Sequence, residues 1–170
     1  NSDNPFTGVF DGNGHTISNF TYTSTDTDYI GLFGSVGEWG ENTEIRNLGL
    51  IDPNVDAGTG NYSGALVGYV RNGTISNCYA TGDVSGNDYV GGLVGYHRGS
   101  TTSYCYSSGS ISGNLYVGGL VGYHYQVGSY KSTISYCYSE AGVLGNERVG
   151  GLVGYNLGGT ITCCYSTGSV

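Results

Sequence analysis

The chain has 170 residues, a length for one domain, built with 33 Gly, 17 Tyr, 2 Pro and no Met. Only 11 % of residues are charged and the net charge is −8, so Ser, Thr, Asn and Tyr must carry the surface. The five bases (Arg46, Arg71, Arg98, Lys131 and Arg148) are scattered singly, which argues against nucleic acid or an anionic membrane as partner. No apolar run approaches the ~20 residues that span a bilayer, so no membrane insertion is expected.

In chain order, Asp11-Gly12-Asn13-Gly14 carries ordinary turn chemistry. Ile30-Gly31-Leu32-Phe33-Gly34 is a worn copy of a phrase that continues as Ser63-Gly64-Ala65-Leu66-Val67-Gly68-Tyr69. The phrase then stands verbatim, Val-Gly-Gly-Leu-Val-Gly-Tyr, at 90–96, 117–123 and 149–155. Its leucines, at 32, 66, 93, 120 and 152, advance by 34, 27, 27 and 32 residues. A fixed period near 27 marks a stacked repeat architecture.

A second segment follows each phrase. Thr74-Ile75-Ser76-Asn77-Cys78-Tyr79 returns around Cys105, Cys137 and Cys164, and Ile45-Arg46-Asn47-Leu48 and Ile17-Ser18-Asn19-Phe20 look like earlier relatives. Phe20, Leu48, Cys78, Cys105, Cys137 and Cys164 are therefore expected as six rungs of one inward column. Phe, Leu and Cys share apolarity and little else. Tyr79, Tyr106, Tyr138 and Tyr165 should alternate outward. Interior glycines, each worth about 1 kcal/mol against a helix, remove helix from consideration.

These patterns predict an all-β fold, a right-handed parallel β-helix of about six coils. At about 4.8 Å per coil it would stand on the order of 25 to 30 Å tall. Residues 1–170 are expected as one domain, with 1–28 an opening coil and 29–170 the repeats. Without an initiating Met or a signal peptide, the chain is read as a segment of something longer. Paired glycines at 91–92, 118–119 and 150–151 should mark a bend or flattened part of the cross-section. Residues 38–42, 97–102 and 125–132 differ between copies and predict loops leaving the coil, where specific function would reside.

These residues resemble the bacterial GLUG-motif repeat, whose core is Gly-Leu-(any)-Gly, here Gly92-Leu93-Val94-Gly95 and its copies. The resemblance is clear over 60–170 and weaker over 29–50, and Phe6 to Ile17 looks like the first coil of a pectate-lyase-like β-helix. It implies a large secreted or cell-surface protein, adhesin-like, or the non-catalytic part of an IgA-cleaving protease. It supplies no catalytic motif and no cofactor.

Candidate chemistry is sparse. Stacked Cys78, Cys105, Cys137 and Cys164 form a ladder of free buried thiols or hold one bridge between neighbours, while Cys163 breaks the pattern and should face outward. Tyrosines form columns at 29, 62, 89 and 116 (ended by Arg148), at 69, 96, 123 and 155, and beside the cysteines. Tyr69, Tyr96, Tyr123 and Tyr155 stabilise the rod or offer faces to sugars. His97 and His124 stack as a solvated pair, too few for a metal. Asp11, Asp26 and Asp28 are possible calcium ligands within no complete loop. Asn19, Asn61 and Asn72 begin glycosylation sequons. Carboxylates share no column, and no nucleophile, zinc or phosphate motif occurs.

The expected function is a non-catalytic structural or adhesive segment at the cell surface or outside the cell. Expected partners are further copies, joined through the β-helix ends into fibres, or a host or surface glycan or protein. The alternatives are a carbohydrate-binding module using the tyrosines, or a non-catalytic part of a secreted protease or polysaccharide-degrading enzyme.

Overall fold

The computed structural model describes residues 4–170 and contains strands, turns and no helix among them. Every strand pairing is parallel, and each joins residues about one repeat apart. The chain is therefore a β-solenoid whose coils lie on one another. Four sheets wall it.

The first sheet stacks Val9–Asp11, Thr43–Arg46, Gly73–Ser76, Thr101–Ser103, Thr133–Ser135 and Thr160–Thr162. The second runs from Thr16–Ser18 through Gly49–Asp56, Tyr79–Ser85, Tyr106–Ser108 and Tyr138–Ser139 to Tyr165–Ser166, with Thr21–Thr23, Ser110–Ser112 and Gly142–Leu144 extending it. The third comprises Ser63–Gly64, Asp88–Gly91, Leu115–Gly118 and Glu147–Gly150. The fourth comprises Phe33–Val36, Val67–Arg71, Val94–Arg98, Val121–Tyr125 and Val153–Leu157. Six rungs on the first sheet and five on the fourth make about five full turns, with a period around 30 residues.

The core is a set of vertical columns. Ile45, Ile75, Thr102 and Ile134 line it from the first sheet, and Leu66, Leu93 and Leu120 fill the corner of the glycine phrase. Val90 and Val117 close it from the third sheet. Parallel strands need a partner on both sides, and each coil supplies one above and one below, so stacking satisfies the backbone without lateral sheet neighbours.

The glycine phrase has a spatial cause. Strands of the third and fourth sheets meet backbone to backbone across the Gly-Gly-Leu corner. A Cβ on Gly95 would lie 2.6 Å from the amide of Ser63 and 2.7 Å from the carbonyls of Gly68 and Tyr89. At Gly92 it would overlap the carbonyl of Gly119. Neither glycine has a positive φ, so the requirement is room rather than backbone freedom. This sharpens the expected bend into a line of backbone contact running up the rod.

Two other corners use left-handed residues. Tyr29, Tyr62, Tyr89 and Tyr116 take φ of 61–62°, and Arg148 takes 54°. Asn47, Asn77, Tyr104, Tyr136 and Cys163 take φ of 51–55° before the cysteine column. Asn tolerates this conformation. For Tyr it costs roughly 1 to 2 kcal/mol and persists only where neighbours enforce it.

The opening coil departs from expectation. Asp11 pairs with Arg46, and Thr16–Ser18 pairs with Gly49–Ile51, so Gly12 to His15 occupies the corner that Asn47-Leu48 makes one coil on. Phe20 is thus not a rung of the Leu48 and cysteine column. It stands beside Thr21–Thr23, which pairs with Asn54–Asp56. A longer turn, closed by the Asn13 amide on the Asp11 carboxylate at 2.8 Å, shifts the register.

Candidate functional site

From Leu48 onward the inward column continues through the cysteines. Cys78, Cys105 and Cys137 are buried, Cys164 is half-buried, and all are free thiols. The Cys78 amide donates to Cys105 Sγ at 3.5 Å, and the Cys105 and Cys137 amides donate to the next sulfur at 3.4 Å each. Each thiol in turn donates to the carbonyl two residues earlier, as Cys78 does to Ser76 at 3.2 Å. Burial pushes the Cys78 thiol up to about 11 and raises that of Cys105. These sulfurs pack and satisfy backbone amides. Cys163 is exposed, as its position predicts.

The histidines overturn expectation. His97 and His124 are fully buried, edge to face with centroids 4.9 Å apart, and not solvated. They stand in the column of Val36, Val70 and Asn156, which points inward. His97 Nδ1 meets Ser132 Oγ at 3.0 Å, while His97 Nε2 and both nitrogens of His124 have no partner. Loss of water holds both imidazoles neutral. His124 is lowered to about 4, and His97 well below its ordinary value, with the neighbouring ring adding to the effect.

Asp11 belongs to a surface network. Asn47 Nδ2 donates to it at 3.0 Å and Arg46 Nε at 2.9 Å, and these bonds hold its carboxyl down at about 2, the Asn47 bond most strongly. Asp28 Oδ1 accepts from the Asn61 amide and side chain at 2.7 and 3.2 Å. Both carboxylates are therefore committed to protein donors. Among the described residues no three His, Cys, Asp or Glu side chains gather to hold a metal. Of the sequon asparagines, Asn61 is tied to Asp28, and Asn72 donates its side-chain amide to the Glu38 carbonyl at 3.2 Å. Asn19 is exposed at φ 57°.

The tyrosine columns interlock. Tyr29, Tyr62 and Tyr89 stack with centroids 4.7 Å apart and planes within 3°, and Tyr116 follows at 4.9 Å. Arg148 continues the column, its guanidinium 4.9 Å from the Tyr116 ring and 5.0 Å from that of Tyr155, while donating to the Tyr116 hydroxyl. Tyr69, Tyr96, Tyr123 and Tyr155 form the adjacent column at 4.8 to 5.3 Å. Edge-to-face contacts such as Tyr62–Tyr69 at 6.1 Å join the two. Ring faces therefore cover one another, leaving edges and hydroxyls outward. Tyr79, Tyr106, Tyr138 and Tyr165 stack outward at 4.7 to 5.1 Å, as alternation predicts.

Beside the first two columns lies a groove of about 270 Å³, walled by tyrosines and floored by Arg71 and Arg98. The two arginines are paired in register on successive coils. Arg71 Nη2 lies 2.5 Å from Glu38 Oε1. Arg98 Nη1 donates to the Tyr69 hydroxyl at 3.2 Å, and the guanidinium carbon lies 5.8 Å from the centroid of the Trp39 ring. Trp39 packs on Tyr130 at 4.2 Å. Two loops marked as variable, from coils three apart, thus converge beside this pair. Sequence reasoning separated these residues. The recurrence of Arg at 71 and 98, two residues after equivalent tyrosines, was the available signal.

Comparison with known proteins follows this geometry. The repeat family described as the GLUG motif matches residues 59–85, 86–112, 113–143 and 145–170, one match per coil. Halomucin of Haloquadratum walsbyi is 39 % identical over 88 residues, covering 51 % of this chain and 1 % of halomucin. A protein of Evansella cellulosilytica, provisionally named a Gly-rich membrane protein, is 49 % identical over 47 residues, 28 % of this chain and 5 % of its own length. The chain thus spans a small fraction of either relative. A Bacteroides ovatus structure, provisionally named an immunoglobulin A1 protease, superposes with a TM-score of 0.56 at 21 % identity. That likeness covers 92 % of this chain and 59 % of the other, and speaks for the fold alone. Four consecutive matches spread over most of the chain leave one conclusion: it belongs to the GLUG-motif family.

Proposed function

We propose that this chain is a non-catalytic β-solenoid segment of a secreted or cell-surface protein, serving as stalk, spacer or adhesive scaffold. The observation that carries this is the sameness of its coils. Columns of Leu, Val, Cys and Tyr repeat with little change, which builds stiffness and offers little local chemistry. The carboxylates support it, since Asp11, Glu38 and Asp56 are each spent on a neighbouring Arg, Asn or Ser. Halomucin carries a mucin's name, which favours an extracellular setting.

The test is twofold. Antibody against the chain should label intact producing cells or their medium, and labelling only after lysis refutes the surface assignment. Incubation with IgA1 and with plant and animal polysaccharides should yield no cleavage products, and a product sensitive to substitution in the chain refutes the non-catalytic one.

A further inference from the structure

The Arg71–Arg98 groove has the features of a binding site. This chain carries a net charge of −8 on five bases, yet places two of them at the same register position of adjacent coils. Like charges at strand spacing repel, so an anion between them is stabilising. The fold already answers this for one member, since the Glu38 carboxylate sits on Arg71. Arg98, its equivalent one coil on, has no carboxylate within ion-pair distance among the described residues. The Nε atoms of both arginines are buried without an acceptor.

The wall adds a second kind of recognition. The Tyr69 hydroxyl accepts from Arg98 and so keeps its own proton to donate. Burial pushes the Tyr62 phenol up to about 12 and raises that of Tyr96, so both remain neutral and can donate as well as accept. Hydroxyls thus recur on successive coils beside the cationic floor. Ring faces are taken up by stacking, so the wall offers edges and hydroxyls rather than a flat platform.

We propose that the groove at Arg71 and Arg98 binds an acidic polysaccharide, its carboxylate or sulfate on Arg98 and its hydroxyls along Tyr62, Tyr69 and Tyr96. Charge-assisted bonds to guanidinium are the strong contacts, and the tyrosine hydroxyls select a ligand that carries hydroxyls beside its anionic group. Glu38 competes for the same floor and tunes affinity from within. Trp39 holds one side of Arg98 and reports on occupancy.

Calorimetry at low salt, with Trp39 fluorescence as a second readout, tests this on the whole chain. The probes are polygalacturonate, dextran sulfate, neutral dextran and polyglutamate. Binding of polygalacturonate, dextran sulfate or both, with dextran silent and polyglutamate weaker, is the expected result; which polyanion binds identifies the anionic group. Arg98→Gln should weaken binding about tenfold, the scale of one hydrogen bond to a charged group. Glu38→Gln should tighten it severalfold, a gain that unfolding cannot mimic. Arg46→Gln, a charge change on the first sheet, should leave it unaltered. Equal binding of dextran, preference for polyglutamate, silence of both polyanions, or indifference to Arg98→Gln or Glu38→Gln would overturn the proposal.

Discussion

His97 and His124 pack edge to face at 4.9 Å inside the solenoid, with three of their four ring nitrogens unpartnered. In the folded chain both imidazoles lie below their ordinary value, His124 at about 4. The unfolded chain takes up these protons near pH 6.5, so it binds more protons than the native state below that pH, and stability falls with acidification. For His124, lowered to about 4, this amounts to on the order of 3 kcal/mol lost as the pH falls from 6.5 towards 4. The melting temperature should therefore drop across this window, before Asp11 begins to protonate. Replacing both histidines with Val, the residue of Val70 in the same column, should flatten the profile. An unchanged profile in the double variant would refute the assignment.

Gly92→Ala should destabilise the chain by about 1 to 3 kcal/mol, as overpacking does, because its Cβ would overlap the Gly119 carbonyl and crowd Ser107. Gly14→Ala is the comparison for space alone, since nothing lies within 4 Å of a Cβ there. Its own cost should come only from its φ of +75°. Denaturant melts of the two variants check this, and equal midpoints would show that the corner has room.

Arg148→Ala should cost roughly 0.5 to 2 kcal/mol by removing a cation from two ring faces. Arg148→Tyr should restore most of that, because it continues the column of Tyr89 and Tyr116 at the same left-handed corner. Thermal melts of both variants decide it. Equal losses would mean that the column gains nothing from its end residue.

A thiol reagent at neutral pH should label Cys163 rapidly, Cys164 slowly, and Cys78, Cys105 and Cys137 only on unfolding. Burial keeps the Cys78 and Cys105 thiols protonated as well as hidden, and Cys137 is shielded by burial alone. Mass spectrometry after a timed pulse distinguishes the sites. Fast labelling of Cys105 would contradict the ladder.

The repeat phrase made the coil legible because its leucines, valines and glycines are dictated by a cross-section common to every turn. Similarity misled where an inserted turn shifts the register. Ile17-Ser18-Asn19-Phe20 resembles Ile45-Arg46-Asn47-Leu48, yet Gly12 to His15 occupies that corner and sets Phe20 elsewhere. Polarity alone points the histidines outward, whereas alternation, with Val70 in the same column, places them inward. The groove stayed hidden for another reason. Glu38, Trp39 and Tyr130 lie on loops whose paths no period describes, and only folding brings them to Arg98.

The left-handed tyrosine corner bears on how such a chain changes over generations. Each ring holds its place through the rings above and below, at spacings that scarcely vary from Tyr29 to Tyr116. Excising or duplicating one whole turn joins surfaces that already fit, and extra residues are absorbed where a loop leaves the coil, whereas gaining or losing a residue within a strand shifts its column out of register. Unequal recombination between near-identical turns therefore yields longer or shorter rods that still fold, and reach becomes a trait that can vary without redesign of the interior.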